Sequence, residues 1–394
     1  MYADPTKYAS RIITNICKNI ADSYTGYLAT AGYISYRSDN DIEMIMDILR
    51  YNDYQYEDNK FLADALIYGV AYELMYHDEA GKTRFRLIDP TTCFGICDDS
   101  LTGDLTHFVR MYKVNEWDNS DKYNVDVYDN STITHYTMNG RNGALLLAGQ
   151  EPHHFSQCPA NIFTLPDEKS VFDCIIGIQD AYNEVLSSEV DDFSAFCDAY
   201  LALCGVDADD DDIKAMKENR VMLLPPDATA NYITKNVSDT QVENILKRLH
   251  ESAYRIAQCP DFSSDSFNGG VSSGISIRYK LTGMENRAGS IEAEMKKALQ
   301  RRIELICGIA EIMLGEEIFR DIQIEFKRNI PADTNEIINM VNALKGSVSE
   351  KTLLSLLPFI DDADAELEAV KAERQANLSL YSFSTGMDEE EDAE

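Results

Sequence analysis

One dense group of side chains that could hold a cation is the acidic run Asp207, Asp209, Asp210, Asp211 and Asp212. Carboxylates bind hard cations such as Ca²⁺, but a calcium-binding loop alternates its ligands and turns on a glycine, and this spacing is absent here. The run precedes a short apolar pattern, and carboxylates at the start of a helix are stabilised by the helix dipole. We therefore interpret the run as a solvated helix start and expect no bound metal.

Cys93 and Cys97 form a second candidate ligand pair, with His77 and His107 nearby in the sequence. A zinc site needs four ligands in a tetrahedral arrangement. No second cysteine pair and no paired-histidine motif follows at zinc spacing. The nine cysteines are scattered and mostly lie in apolar segments, where a reduced thiol behaves as a small hydrophobic group. The pattern predicts free thiols in a cytoplasmic setting.

The sequence lacks the usual catalytic and nucleotide-binding signatures. A phosphate-binding loop, a dinucleotide-binding glycine motif, a nucleophile elbow and a helical zinc-protease motif are all missing. His153 and His154 follow Pro152 in a predicted loop, and we expect them to form a surface pair. These patterns predict neither a cofactor nor an enzymatic activity.

Lys296, Lys297, Arg301 and Arg302 form the one dense basic cluster. Contact with nucleic acid is one interpretation of these side chains. We favour pairing within their helix or with a neighbouring subunit, because acidic residues precede them at helical spacing. These acidic residues are Glu285, Glu292 and Glu294.

The chain is strongly acidic, with 68 acidic residues against 35 basic ones and a net charge of −33. Such a chain cannot coat nucleic acid by neutralising its phosphates. Solubility alone is one explanation. Two others are a mimic of DNA that occupies a DNA-binding protein, and a protein that handles DNA without adhering to it. Composition does not choose between them.

The first 165 residues read as three helices followed by short strands. Apolar periodicity predicts helices over 8–28, 41–51 and 59–68, and Gly69 ends the third. Alternating runs with turn residues between them then predict antiparallel strands. The strands cover 70–76, 83–88, 93–97, 106–114, 123–128 and 133–138. This part is therefore predicted to be α+β.

No apolar run approaches the roughly 20 residues that span a bilayer, so we expect no membrane contact.

The middle of the chain reads as a long helix, a small α/β insert, a helix, a polar loop and a very long helix. The first helix runs for roughly 30 residues from Ser170 without a proline, and the next covers 240–257. The insert is predicted to hold strands at 200–206, 220–224 and 232–234 and a short helix at 213–219. Behind the loop, apolar residues recur from Leu281 to Met313 and predict a helix about forty residues long.

The C-terminal part is predicted to be a strand followed by short helices. The strand covers 318–326, and the helices cover 335–345, 349–357 and 361–377. The acidic run 388–392 predicts a disordered tail.

Several phrases of the sequence, taken in order, resemble the portal proteins of tailed bacteriophages, in the siphophage-type, gene-product-six-like branch. The phrases cover 19–28, 65–73, 88–90, 273–285, 326–333 and 346–353. The strongest is the stretch from Ser273 to Glu285. The resemblance implies a mainly helical portal fold of the α+β class with small antiparallel sheets. Relatives usually carry an N-terminal arm before the first helix and often a longer C-terminal crown, whereas this sequence starts almost at its first helix and continues for only about 20 residues after its last. The two interpretations are a compact member of the family and a trimmed chain.

The resemblance also implies a division of the chain into named parts. These are an N-terminal α+β wing (1–168), a stem helix (169–199), a clip (200–238), a second stem helix (239–259), a tunnel loop (260–273), a long helix behind that loop (274–315), a C-terminal part of the wing (316–378) and a disordered acidic tail (379–394).

The implied function is that of a conduit for DNA and a docking platform, not of an enzyme. Subunits would form a homo-oligomeric ring, a dodecamer, at one capsid vertex of the virion, after assembly in the cytoplasm of the bacterial host. Double-stranded DNA would pass through the ring. The implied protein partners are the terminase large subunit, which would supply ATP hydrolysis, the head-completion adaptor, and the major capsid and scaffolding proteins.

Two sets of site residues follow from the resemblance. The tunnel loop would present Asp261, Phe262, Ser263, Ser264, Asp265, Ser266, Phe267, Asn268, Gly269 and Gly270 to the DNA channel. The clip would contact terminase through Asp209, Asp210, Lys214, Lys217 and Arg220. An acidic lumen would repel phosphate and leave DNA no deep binding well. The alternatives that stay open are an acidic DNA mimic and a metal-dependent DNA hydrolase.

Overall fold

A computed structural model describes residues 10–29, 32, 34–113, 121–140, 143–197, 200–204, 229–233, 239–264, 274–314, 318–328, 334–357, 360, 363 and 366–372. The chain divides into two units. The first contains Met1–Asp261 and Gly283–Arg328, and the second contains Phe262–Thr282 and Asn329–Glu394.

The first unit begins with helices around one short strand. They are α1 (Ile16–Leu28), β1 (Ile34–Arg37), α2 (Glu43–Tyr51) and α3 (Tyr54–Tyr68). The predicted helix over 8–28 is wrong in its first half, because α1 begins at Ile16, where Asn15 caps it by accepting from the backbone N–H of Lys18. At Gly69 φ is +82°, and an added Cβ would lie 2.7 Å from the backbone oxygen of Glu168. Only glycine fits this position, so α3 ends there as predicted.

Two antiparallel sheets follow α3. The first has the order β3-β2-β9, and the second has the order β4-β5-β6-β7-β8. The strands are β2 (Val70–His77), β3 (Thr83–Ile88), β4 (Cys93–Cys97), β5 (Leu105–Lys113), β6 (Lys122–Tyr128), β7 (Thr132–Asn139), β8 (Leu146–Pro152) and β9 (Ala160–Thr164). The sequence did not predict β8 or β9. A core of buried side chains from both sheets joins them, including Leu74, Phe108 and Tyr128.

The next segment is a pair of helices joined through a two-stranded sheet. It contains α4 (Ile176–Cys197), β10 (Tyr200–Cys204), β11 (Thr229–Ile233) and α5 (Asp239–Ile256). Tyr200 pairs with Ile233 in antiparallel register, so both helices meet the sheet at the same end. The α4 helix has 22 residues and follows a 3₁₀ turn at Asp173–Ile175, so it is shorter than predicted. The predicted helix 213–219 and strand 220–224 lie outside the described residues.

The longest element is α6 (Gly274–Leu314), a helix of 41 residues, as the apolar spacing predicts. Within the first unit, its buried side chains include Met284, Ala288, Ile291, Met295, Leu299, Ile303 and Ile306. The final strand of this unit, β12 (Gln323–Phe326), pairs antiparallel with β1. The predicted strand 318–326 is wrong over its first half, where Ile318–Asp321 form a 3₁₀ turn.

The second unit contains α7 (Thr334–Leu344) and α8 (Glu350–Ser355). Gly346 follows α7 with φ at +89°, and Ser349 caps α8 by accepting from the backbone N–H of Thr352. Residues 366–372 are helical. Of the helices that the structure describes, none combines the length and the apolar character that a membrane span requires.

Candidate functional site

Only the first part of the predicted tunnel loop lies among the described residues. Asp261, Phe262, Ser263 and Ser264 are described. The other six predicted loop residues, Asp265, Ser266, Phe267, Asn268, Gly269 and Gly270, lie outside the described residues, as do the five predicted clip residues, Asp209, Asp210, Lys214, Lys217 and Arg220.

The loop begins where α5 ends in a Schellman motif. The N–H of Cys259 donates to the carbonyl of Tyr254, and the N–H of Gln258 donates to the carbonyl of Arg255. Gln258 holds the left-handed position with φ at +55°, which is usually filled by glycine because a side chain is strained there. Cys259 is buried, and its burial raises the pKa of the thiol to about 11. The thiol is therefore a packed hydrophobic group rather than a reactive one.

Asp261, predicted to face DNA, lies beside a histidine. Its Oδ2 is 3.7 Å from Nδ1 of His250, and the carboxylate side chain is 18% exposed. The His250 ring in turn contacts Tyr254, with the two ring centroids 4.9 Å apart. Phe262, by contrast, has 43% of its surface exposed.

An extended segment that the sequence did not predict runs along α4, the first of the two helices that precede the loop. Residues 10–15 run along α4 and have no helical assignment, and we call residues 10–16 the strap. Every second backbone N–H of the strap donates to a side chain on α4. The pairs are Ser10 to Asp191 at 2.8 Å, Ile12 to Ser187 at 3.0 Å, Thr14 to Asn183 at 3.0 Å and Ile16 to Gln179 at 2.9 Å.

The spacing of the acceptors on α4 explains this ladder. Gln179, Asn183, Ser187 and Asp191 each stand four residues apart, so they lie in one row along the helix. Polar residues at every fourth position were the signal that could have revealed the contact. The apolar pattern of Ile12, Ile13 and Ile16 predicted a helix instead, because it also fits a helical face.

The basic cluster on α6 is neutralised by neighbouring acids. Lys296 contacts Glu292 at 2.7 Å, Lys297 contacts Glu294 at 2.7 Å, and Arg301 contacts Glu304 at 2.8 Å. Three of the four basic side chains thus pair within their own helix, as the favoured interpretation predicts.

Arg302 lies in the interior, with none of its side chain exposed. It bonds Asp58 of α3 and Glu73 of β2, and its guanidinium carbon lies 4.5 Å from the ring centroid of Phe85. The Asp58 carboxylate also accepts from the hydroxyl of Tyr36 at 3.1 Å. Burial raises the pKa of Asp58, and the charge of Arg302 opposes that rise. Arg302 therefore serves packing between elements and cannot reach DNA.

Of the candidate metal ligands, the cysteines and histidines do not converge, and the acidic run Asp207–Asp212 lies outside the described residues. Among the residues that the structure describes, no group of three or more His, Cys, Asp or Glu could hold a metal ion. Cys93 is buried, and its thiol donates to the backbone oxygen of Asp89. Burial raises the pKa of the Cys93 thiol to about 12.

His153 and His154 differ in their surroundings, so the predicted surface pair is wrong for one of them. His153 is 5% exposed, whereas His154 is exposed. The backbone N–H of Phe155 donates to Nδ1 of His153, and Nε2–H donates to the backbone oxygen of Asp129 at 3.0 Å. Burial lowers the pKa of His153, so the ring is a neutral structural group.

Comparison with known proteins identifies the family. The family model described as "Phage portal protein, SPP1 Gp6-like" matches residues 2–379. A portal protein of Clostridium phage phiCD119 is 23% identical over 141 residues, which are 36% of this chain and 29% of the relative. The match therefore spans less than a third of that relative's length. A chain from the neck of an empty GTA particle computed with C6 symmetry aligns with a TM-score of 0.49 and 13% identity, over 87% of this chain and 89% of that chain. Because the family model covers nearly the whole sequence, the chain belongs to the SPP1 Gp6-like family of phage portal proteins.

Proposed function

We propose that the chain is a portal subunit that forms a ring-shaped channel at one capsid vertex, through which double-stranded DNA is packaged and ejected. The observation that carries this proposal is the family match over residues 2–379. The role is structural rather than catalytic, with ATP hydrolysis assigned to the terminase. The ring is a homo-oligomer, for which we propose a dodecamer.

The order of the described elements supports a division into the parts of a portal. The helices α4 and α5 meet one small sheet at the same end, which suits stem helices at 169–199 and 239–259 with a clip at 200–238 between them. The 41-residue α6 suits the long helix at 274–315 behind a tunnel loop at 260–273. The remaining parts would be the wing, at 1–168 and 316–378, and the acidic tail at 379–394.

The charge of the chain suits passage of DNA. With a net charge of −33 per subunit, a ring would repel phosphate along much of its surface and offer few deep binding wells. The segment 260–273 contains Asp261 and Asp265 and no lysine or arginine. Because Asp261 is largely buried beside His250, we attribute the repulsion to the acidity of the whole channel rather than to this single carboxylate.

The clip is the proposed docking platform for other proteins. Its residues Asp209, Asp210, Lys214, Lys217 and Arg220 carry both charge signs, which suits a polar and specific contact. We propose that terminase binds there during packaging, and that the head-completion adaptor replaces it afterwards. Major capsid and scaffolding proteins would contact the wing during assembly in the host cytoplasm, before the ring becomes part of the virion.

Electron microscopy of the purified protein tests the proposal directly. We expect negatively stained particles to be annuli with rotational symmetry, and light scattering to give the matching mass. A stable monomer or dimer would contradict a portal and favour an acidic DNA mimic. A nicking assay with Mg²⁺ tests the hydrolase alternative, which predicts activity that is lost when Asp209–Asp212 are replaced by asparagine.

A further inference from the structure

The carbonyl end of α5 is held by two side chains from distant parts of the chain. A helix end leaves its last carbonyl groups without partners inside the helix. The Schellman motif uses the carbonyls of Tyr254 and Arg255. The carbonyls of Ala257 and Gln258 lie further along the chain, just before the proposed tunnel loop.

Both of these carbonyls accept hydrogen bonds from a buried tyrosine of α1. The hydroxyl of Tyr24 lies 3.1 Å from the oxygen of Ala257 and 3.2 Å from that of Gln258. Tyr24 has no exposed surface, and burial raises the pKa of its hydroxyl well above the ordinary value. The hydroxyl therefore stays protonated and remains a donor to the end of α5.

Arg287 of α6 provides the second contact. Its Nη1 donates to the oxygen of Ala257 at 3.1 Å, and its guanidinium carbon lies 5.7 Å from the ring centroid of Tyr24. A cation at the C-terminal end of a helix is also stabilised by the helix dipole. Four residues before Arg287, Gly283 lies beside a residue that follows α5, since an added Cβ would be in ordinary van der Waals contact with Cβ of Gln258, at 3.9 Å.

We propose that Tyr24 and Arg287 are positioning residues of the portal channel: they fix the point at which the segment 260–273 leaves α5. This inference rests on the proposed function, because it assigns their purpose to the loop at the channel. Two helices far apart in sequence, α1 and α6, direct buried polar groups at the same two carbonyls. Apolar packing is not directional and would hold α5 in place without fixing the residue at which its last turn ends. Hydrogen bonds to two particular carbonyls do fix that residue.

Hydrogen–deuterium exchange on the full-length protein tests this proposal. In Tyr24→Phe and Arg287→Met, we expect the amides of Gln258 and Cys259 to exchange about tenfold faster, because each substitution removes one donor to these carbonyls and the last turn opens more often. Arg287→Lys should show an intermediate rate, since an ammonium group keeps a charged donor at this position. Amides in the centre of α5 and of α6 should keep the rates of the unmodified protein.

Two exposed residues of the same types provide matched controls. Tyr279→Phe and Arg248→Met remove a hydroxyl and a guanidinium from side chains that are exposed, and they should leave the exchange at Gln258 and Cys259 unchanged. Equal acceleration in the controls would overturn the proposal. So would unchanged exchange in Tyr24→Phe and Arg287→Met, or a uniform acceleration along α1, α5 and α6, which would show an ordinary core contact.

Imaging the same samples by electron microscopy separates this inference from the proposed function. If the unmodified protein forms no annuli, the portal function fails, and with it the purpose assigned to the two side chains. If annuli form but the local exchange does not respond, only the positioning role fails. The expected result is intact annuli in every variant, with faster exchange confined to the end of α5 in the Tyr24 and Arg287 variants.

Discussion

Nε of Arg302 donates to the carboxylate of Glu73 at 2.9 Å, and neither side chain has any exposed surface. Asp58 supplies a second buried carboxylate to the same guanidinium. The arrangement joins α6 to α3 and β2 through charges that water does not reach. A buried arginine between two acids is stable only while all three partners are present.

Replacing Arg302 by methionine should therefore destabilise the protein strongly. Two buried carboxylates would lose their counter-charge, and the expected loss in the free energy of unfolding is about 3–5 kcal/mol. Urea denaturation at neutral pH measures it. Lys297→Met is the control, because this side chain on the same helix is 72% exposed and pairs with Glu294 of its own helix; its loss should stay below about 1 kcal/mol. Equal losses in the two variants would show that burial of the charge is unimportant.

The pH dependence of stability should depend on His135. Its Nδ1 lies 2.7 Å from Oδ1 of Asp126, and this hydrogen bond raises the pKa of the imidazole above its ordinary value of 6.5. A folded-state pKa that is higher than the unfolded one adds stability that is fully present below pH 6.5 and is lost as the pH rises through the folded pKa. His135→Gln should thus cost more stability in acid than in alkali.

Denaturation curves of the His135→Gln variant on both sides of neutrality check this expectation. His107→Gln is a suitable control, because His107 lies on β5 of the same sheet and is exposed. A difference between the His135 variant and the unmodified protein that stays constant with pH, or that grows in alkali, would contradict the assigned role of the ion pair.

Gln258 offers a stabilising substitution. Its φ of +55° is strained for a side chain with a Cβ, and glycine adopts it without that strain. Gln258→Gly should therefore raise the free energy of unfolding. The gain should not exceed about 1 kcal/mol, because glycine also has more freedom in the unfolded chain, and this opposes the relief of strain. Thermal unfolding measures the change. Gln258→Ala keeps the Cβ and should give no such gain, so stabilisation by both variants would point to another cause.

The strap predicts an alternating response to proline. Ile12→Pro removes the N–H that donates to Ser187 and should release the strap from α4. Ile13→Pro changes the next residue, whose side chain is 78% exposed and whose N–H lies on the alternate side of the extended chain. It should be tolerated, because proline suits extended backbone. Limited proteolysis near the N-terminus reports release, and equal cleavage of both variants would argue against the ladder.

Elements encoded by local periodicity could be predicted from the sequence, and elements held by distant partners could not. The apolar spacing from Met284 to Ile306 identifies α6 because one face of a helix is buried along most of its length. The strap was misassigned because its amide partners lie more than 160 residues away, as in the bond from Ile16 to Gln179. β1 was missed for the same reason, since its partner β12 is close to 300 residues further along the chain.

The candidate site shows the same limit. Composition singled out the polar segment after Cys259, but its anchoring depends on Tyr24, which reads as one more apolar residue on α1. Arg302 looked like part of a basic cluster because it follows three other basic residues on the same helix, and only the tertiary fold brings Asp58 and Glu73 to it. His153 was placed on the surface because a loop position was taken to be exposed.

The ladder between the strap and α4 has an evolutionary consequence. At positions 10 and 12 the contact uses main-chain N–H groups, so these side chains can vary among homologues without loosening the attachment, whereas Thr14 also bonds Asn183 through its hydroxyl. The side chains at 179, 183, 187 and 191 are constrained instead, because each must present a hydrogen-bond acceptor to the strap. Related chains can therefore share the ladder between the strap and α4 even where their N-terminal sequences no longer align.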